Sequence, residues 1–447
     1  MSYLVHSTDD REKILKEIGL NSLNDLFKFI PENIICSMLD LPESLSEKEI
    51  IEKIKKISSM NQTLSNFSSF LGGGAYNHYI PSIVKTITGI SEFYTAYTPY
   101  QAEISQGTLQ YIFEFQSFIC RLTGMDISNA SMYDGASSLA EAILMANRIN
   151  GKNRVIISTT VNPEYRITCK TYLAGKDALL DEIGYKAGKL DLDLLKERLN
   201  KEVSAVVIQN PNFFGCLEEV FKIREIINNY PDCIFIVAIS PISIGILKQP
   251  GEYGADIVVG DAQVLGNSLS FGGPYIGFFS TKEKYLRQMP GRIIVKTEDI
   301  KGNDAFVLSF QAREQHIRKF KATSNICSNH SLNSLAAAVY LSIIGEDGFK
   351  DLANICLQRA HYISKKIQLI PKFKLKFNSA FFNEFVVFTE IDANNLLNKL
   401  YNEKILGGIN LANYYPELNN SILIAVTEMN SISEIDRYCE VLTKINS

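Results

Sequence analysis

Between Lys248 and Lys282 the chain has no lysine, so that stretch offers no primary amine for imine chemistry. Other machinery is missing as well. Only five histidines occur in 447 residues, and neither HExxH nor GxSxG is present, so no zinc-protease helix or nucleophile elbow is written locally. The cysteines (Cys36, Cys120, Cys169, Cys216, Cys233, Cys327, Cys356 and Cys439) stand singly, without CxxC or a Cys/His cluster at metal-ligand spacing. They read as reduced core thiols. A formal charge of −4 leaves no basic surplus for nucleic acid. No run reaches the roughly 18 apolar residues of a membrane span, and the N-terminus lacks the basic start and apolar stretch of a signal peptide. The expectation is a cytoplasmic protein whose partners are small molecules or other proteins, not nucleic acid or membrane.

What is present is ordinary globular composition, 46% hydrophobic and 21% charged, in a chain long enough for two domains. Residues 1–60 read as a helical arm. Ser46 and Glu49 have the spacing of a capping box, and Ile50, Ile51, Ile54 and Ile57 recur behind them at helical spacing. The arm can pack on its own body or on a partner chain. From 61 to 325 short apolar runs at 155–157, 205–208, 234–237, 257–259 and 275–279 alternate with helical patterns, the signature of a large doubly wound α/β domain with a mixed or parallel sheet. The segments 253–259 and 271–279 can instead form an antiparallel insertion in that sheet. Residues 326–447 read as a small C-terminal α+β domain, with helices at 332–341 and 349–367 and strands at 384–388 and 422–426.

Four segments concentrate polar chemistry. Phe70 to Pro81 holds three consecutive glycines followed by His78 and Tyr79; it fits neither the P-loop nor the dinucleotide fingerprint, and a plain hinge is the simpler reading. Thr95 to Gly107 carries Thr98, Tyr100, Gln101, Glu103 and Ser105 around Pro99 and leads into a buried helix; a lined pocket and an exposed helix start are equally open. Asp134 to Ser138 would offer amides at a helix start, but Asp134 repels an anion and serves better as an N-cap. Arg313 to Asn325 includes Arg313, His316, Arg318 and Lys321, which by composition alone is a solvated charged face.

Taken together, FLGGGAYNHYIP, YTAYTPYQAEISQGTLQ, MYDGASSLAEAILMANR, PGEYGADIVVGDAQVLGNSLSFGGPYIGFF and REQHIRKFKATSNICSN resemble, in order and over nearly the whole chain, the glycine decarboxylase P-protein family in its split form, on the α-subunit side. The resemblance implies fold type I of the pyridoxal-phosphate enzymes. It implies an α2β2 assembly in which the β subunit holds the cofactor on its lysine, with none bound covalently to this chain. It also implies a reaction in which glycine is decarboxylated and its aminomethyl group passes to the lipoyl arm of H-protein.

The lysine gap fits that division: Gln263 or Val264 stands roughly where the lysine belongs, and Val237 to Ser243 offers no carboxylate for a pyridine nitrogen. The chain departs from the family's His-Pro-Glu-Tyr-Arg pattern at Asn162, which cannot titrate. On this reading His78, Tyr79, Thr98, Tyr100, Gln101, Glu103 and Ser105 face the β-held cofactor or the lipoyl channel, and Arg313, His316, Arg318 and Lys321 serve as interface or docking cations. Two rivals remain open: a self-sufficient pyridoxal lyase or transferase using Lys248, Lys282 or Lys296, and a non-catalytic scaffold that kept the fold.

Overall fold

In a computed structural model, residues 6–36 and 40–446 are described; the first five residues of the expected arm, its residues 37–39, and Ser447 lie outside them. Contacts divide the chain at Gln62.

The N-terminal unit carries helices α1 (Thr8–Glu17) and α2 (Glu47–Ser58). Both starts are chemically specified. Ser46 and Glu49 form the expected reciprocal cap, with the Ser46 N–H donating to Glu49 Oε2 at 2.8 Å and the Glu49 N–H to Ser46 Oγ at 3.4 Å. Ile50, Ile51, Ile54 and Ile57 are exposed, and no described residue of this unit is buried.

The unit from Thr63 onward is organised on a seven-stranded sheet. Helix α3 (Gln106–Thr123) precedes β1 (Ile127–Ser128) and α4 (Gly135–Asn150). Then follow β2 (Arg154–Ser158), α5 (Pro163–Leu173), β3 (Leu179–Ile183), β4 (Val203–Gln209), β5 (Ile234–Ile239), β6 (Ile257–Asp261) and β7 (Gly277–Thr281). Their order is β1-β7-β6-β5-β4-β2-β3. The five strands from β6 to β3 run parallel, whereas β7 is antiparallel to both β6 and β1. The central strands are buried along their length because helices cover both faces, which is why they read as continuous apolar runs. The antiparallel pairing of 257–261 with 277–281 is the alternative that the sequence left open.

Two expected helices, 332–341 and 349–367, are pieces of one long element, α6 (Ser331–Gln368), broken at Gly345 with φ 62° and ψ −178°. A side chain there would be strained, so glycine sets the break. The first half of α6 packs on the large sheet through Ala337 and Tyr340, and the second half packs on the small sheet through Ala360, Ile363 and Ile367. That small sheet is antiparallel, in the order β8 (Phe373–Leu375), β9 (Glu384–Thr389), β11 (Ser421–Ala425), β10 (Ile409–Asn410). Helix α7 (Ile432–Asn446) covers it. The reading of all cysteines as core thiols needs correction, since Cys36 is exposed and Cys120 and Cys327 are only half-buried. Cys36 lies on the arm and Cys327 in a loop, whereas Cys120 lies on α3 beside Ser128 of β1. Among the described residues no helix is long and apolar enough to cross a membrane.

Candidate functional site

Parallel α/β sheets bind ligands at the carboxyl ends of their strands. Here the part of that edge around the start of α4 and the end of β6 is filled by the chain's own side chains. Asp134 caps α4, its Oδ1 accepting the Ser137 N–H at 2.7 Å. The next amide, of Gly135, donates not to a ligand but to Asp261 Oδ2 at 3.1 Å, and Asp261 Oδ1 accepts the Gln263 N–H at 2.8 Å. A carboxylate thus sits on the helix start that a phosphate would use. The Tyr165 hydroxyl closes the remaining space: a Cβ on Gly135 would lie 2.1 Å from it.

Gln263 is equally committed. Its Oε1 accepts the Tyr76 N–H at 3.0 Å, and its Nε2 donates to the carbonyls of Tyr76 at 3.1 Å and Asn267 at 2.8 Å. Tyr76 in turn donates its hydroxyl to Glu384 Oε2 at 2.7 Å, and the Gly73 N–H meets Glu384 Oε1 at 2.7 Å. Burial pushes the carboxyls of Asp261 and Glu384 up to about 7, against the hydrogen bonds that favour their ionised forms.

These residues do not fit a covalently held pyridoxal phosphate. Gln263, one of the two positions roughly where the lysine belongs, is a hydrogen-bonded amide, the start of α4 carries a carboxylate, and β5 ends at Ile239, followed by Ser240, with no acid. The three lysines weighed as alternatives have other neighbours. Lys282 pairs with Asp256 at 2.6 Å, at the amino end of β6; Lys296 pairs with Asp304 at 2.7 Å on a β-ribbon; Lys248 lies 5.7 Å from the centre of the Phe221 ring. Asn162 is part of the same closed edge: its Oδ1 accepts the Glu164 N–H at 2.9 Å and its Nδ2 donates to the Gly73 carbonyl at 2.8 Å. Both bonds suit a neutral amide, which accounts for asparagine where the family pattern has histidine.

An open site lies elsewhere. A cleft of about 340 Å³ is bordered by Tyr97, Thr98, Pro99, Arg292, Asn329 and His330. Its charge is Arg292, whose side chain is only 3% exposed. Nε lies 3.3 Å from Glu314 Oε2, Nη1 donates to Thr98 Oγ1 at 3.2 Å, and Nη2 donates to the Tyr100 hydroxyl at 3.1 Å. The guanidinium also lies over the Tyr100 ring, 5.3 Å from its centre, and His316 meets that ring edge-on at 5.3 Å. His316 Nδ1 stands 3.6 Å from Glu314 Oε2. Opposite, His330 Nδ1 bonds the Tyr275 carbonyl at 2.6 Å, and Asn329 donates to Ser131 Oγ at 2.6 Å. The arrangement holds a fixed cation beside orientable hydroxyls and an imidazole, suited to an anionic or carbonyl-bearing group.

Of the residues singled out from sequence, Thr98, Tyr100 and His316 therefore meet, around an arginine and a glutamate that sequence reasoning did not select. Arg313 does not join them: it donates to the carbonyls of Met289 and of Gly291, the latter at 2.8 Å, and braces that turn. Burial pulls its pKa down to about 10. Arg318 donates to the Ala312 carbonyl at 2.9 Å, and Lys321 lies 5.7 Å from the centre of the Phe320 ring. Gln101 and Glu103 are exposed, and Ser105 precedes α3 without a side-chain cap. His78 is buried against Glu428, with Nδ1 and Oε2 2.7 Å apart; Tyr79 is exposed, and its N–H donates to Glu428 Oε1 at 2.6 Å. Arg292 and Glu314 were missed because 22 residues separate them, and 194 separate Arg292 from Thr98. The one local signal was a cation directly after Pro290-Gly291, at the start of an apolar run.

The family model described as Glycine cleavage system P-protein matches residues 1–442. A protein of Desulfitobacterium hafniense named probable glycine dehydrogenase (decarboxylating) subunit 1 is 47% identical over 438 residues, covering 98% of each chain. One of the same name from Desulforamulus reducens is 48% identical with the same coverage. Among solved structures, an inhibitor-bound glycine decarboxylase (P-protein) of the glycine cleavage system superposes with a TM-score of 0.91 at 38% identity, covering all of both chains. Glutamate decarboxylase of Lactobacillus brevis, at 12% identity and a TM-score of 0.68, shares the fold alone.

Proposed function

This chain belongs to the glycine cleavage system P-protein family, and from that premise we propose that it is the subunit that completes the glycine-decarboxylating site without holding the cofactor. The observation that carries this reading is Gln263, held by three hydrogen bonds inside the polar network at the carboxyl ends of the strands, in a stretch that has no lysine from 249 to 281. Pyridoxal phosphate, held by the lysine of a partner subunit in an α2β2 assembly, supplies the electron sink for loss of the glycine carboxylate. The aminomethyl group then passes to the lipoyl arm of H-protein.

This chain's part is positional. Glu314, Thr98 and Tyr100 keep the Arg292 guanidinium fixed in its cleft, so that it costs little reorganisation when it meets an anionic group. Tyr79, Gln101, Glu103 and Ser105 extend the polar face turned to the partner or the lipoyl channel. Arg318 and Lys321 add exposed cations for docking, while Arg313 braces the turn at Met289 and Gly291.

The test is borohydride reduction with pyridoxal phosphate, followed by peptide mapping, on this chain alone, on its cognate partner, and on the pair. The expected result is a labelled lysine on the partner only, and glycine decarboxylation with H-protein only from the pair. A labelled lysine on this chain would establish the self-sufficient enzyme, and a pair inactive with H-protein would establish the scaffold.

A further inference from the structure

Beyond the cleft and the carboxyl edge, one cluster of ligating side chains comes together from three distant segments. His78 follows the three glycines, Cys356 lies in the second half of α6, and Glu428 follows β11. His78 Nδ1 lies 2.7 Å and Cys356 Sγ 3.6 Å from Glu428 Oε2, and the three ligand atoms all fall within 4.8 Å of one another. The His78 side chain is 3% exposed and that of Glu428 14%, and Cys356 is fully enclosed. The Tyr79 N–H, at 2.6 Å from Oε1, fixes the plane of the carboxylate and leaves Oε2 facing the other two groups.

We propose that His78, Cys356 and Glu428 form a binding site for a divalent cation of the zinc class. One imidazole nitrogen, one sulfur and one carboxylate oxygen make a donor set that suits zinc, with a fourth tetrahedral position left for water. The sulfur selects against magnesium and calcium, which take oxygen ligands. Binding balances simply. The Cys356 thiol releases its proton, His78 turns a lone pair on Nδ1 to the metal with its one ring proton on Nε2, and the dication sits between two anionic ligands and one neutral one. Without a metal, the Cys356 thiol points to Glu428 Oε2 at 3.6 Å and the cluster is a hydrogen-bonded one. The site would clamp the glycine loop to the long helix and the small sheet, and it stands independently of the reading given for the cleft.

The experiment is titration of the full chain, after chelation and dialysis, with cobalt(II) and then zinc(II). The expected result is one cobalt per chain with thiolate-to-cobalt absorption, displacement by zinc, and a higher Tm with either metal. Cys356→Ser, with its circular dichroism unchanged, should lose the thiolate absorption, and His78→Ala and Glu428→Gln should each weaken binding about tenfold or more. Absence of thiolate-to-cobalt absorption in the wild-type chain would overturn the proposal. So would absorption that persists in Cys356→Ser, because it would come from another of the cysteines.

Discussion

The carboxyl edge of the sheet and the cleft around Arg292 solve opposite problems with similar residue types. At the edge, Asp261, Glu384, Gln263, Tyr76 and Asn162 satisfy one another and the backbone, so the polar groups leave no ligand position. At the cleft, Arg292 is also buried and paired, yet it and Thr98 border open space, and Tyr100 beside it is 45% exposed. A buried network whose polar groups meet only one another makes structure, whereas one that borders open space offers a place for a ligand. On the proposed reading, the chain keeps an enzyme's architecture and places its contribution at the cleft, away from the sheet edge.

The largest effect expected from breaking this contrast is at Arg292. Arg292→Ala strands Glu314 in a nearly closed setting, and removal of one partner of a buried pair costs about 3–5 kcal/mol. Urea unfolding of the full chain checks it. Arg292→Lys separates stability from function: the charge stays, the planar fork to Glu314, Thr98 and Tyr100 is lost, and turnover of the assembled pair should fall at least about tenfold. Wild-type turnover from an assembled Arg292→Lys pair would remove the cleft from the site.

Next is an attempt to convert the closed edge. Gln263→Lys deletes a buried amide that makes three hydrogen bonds and replaces it with an ammonium facing the Tyr76 N–H and two carbonyls. The expected loss is about 2–4 kcal/mol. The new lysine should not be trapped on pyridoxal phosphate by borohydride, because Asp261 and Tyr165 still fill the anion position. A trapped Lys at that position would show that the missing amine alone had separated this chain from a cofactor-holding one.

A milder probe uses pH. The Glu384 carboxyl is raised to about 7 in the folded chain, mainly by burial, from about 4.5 in the unfolded one. A raised folded pKa means that the folded state holds its proton more tightly, so this contribution to stability is fully present below about pH 4.5. It is lost as pH rises through about 7. Glu384→Gln keeps an acceptor for the Gly73 N–H and a donor for the Tyr76 oxygen while removing the titration. Urea midpoints at pH 5.5 and 8 should therefore differ less in Glu384→Gln than in the wild type; an equal difference would move the titration to another group.

Much of the fold was legible in the sequence because burial on both faces writes the central strands as apolar runs, and because Ser46 and Asp134 announce helix starts through their own side chains. The break at Gly345 was legible only as a gap between two helices, since periodicity does not say whether the chain turns back or continues past a glycine. The two sites were less legible for a common reason. Glu384 is 308 residues from Tyr76, and His78 is 350 from Glu428. Sequence patterns report local geometry, and these contacts exist only once the layers have packed. Thr98, Tyr100 and His316 stood out because polar side chains cluster there, but the arginine that joins them lies in an apolar context and gave no such signal.

The smallest expected effect is also the sharpest test of what the cleft does. Tyr100→Phe removes the hydroxyl that accepts from Arg292 Nη2 at 3.1 Å but keeps the ring 5.3 Å from the guanidinium carbon and edge-on to His316. Stability should fall by only about 1 kcal/mol, because one hydrogen bond to a half-exposed hydroxyl is lost and water can replace it. If the hydroxyl serves only to hold Arg292, Thr98 and Glu314 still fix the guanidinium, and turnover of the pair should fall a few-fold with the KM for glycine unchanged. Tyr100→Ala takes away the ring as well, frees both Arg292 and His316, and should cost turnover severely while the pair still assembles. Equal, near-wild-type rates in both variants would make Tyr100 packing material, and the difference between the edge and the cleft would then rest on Arg292 alone.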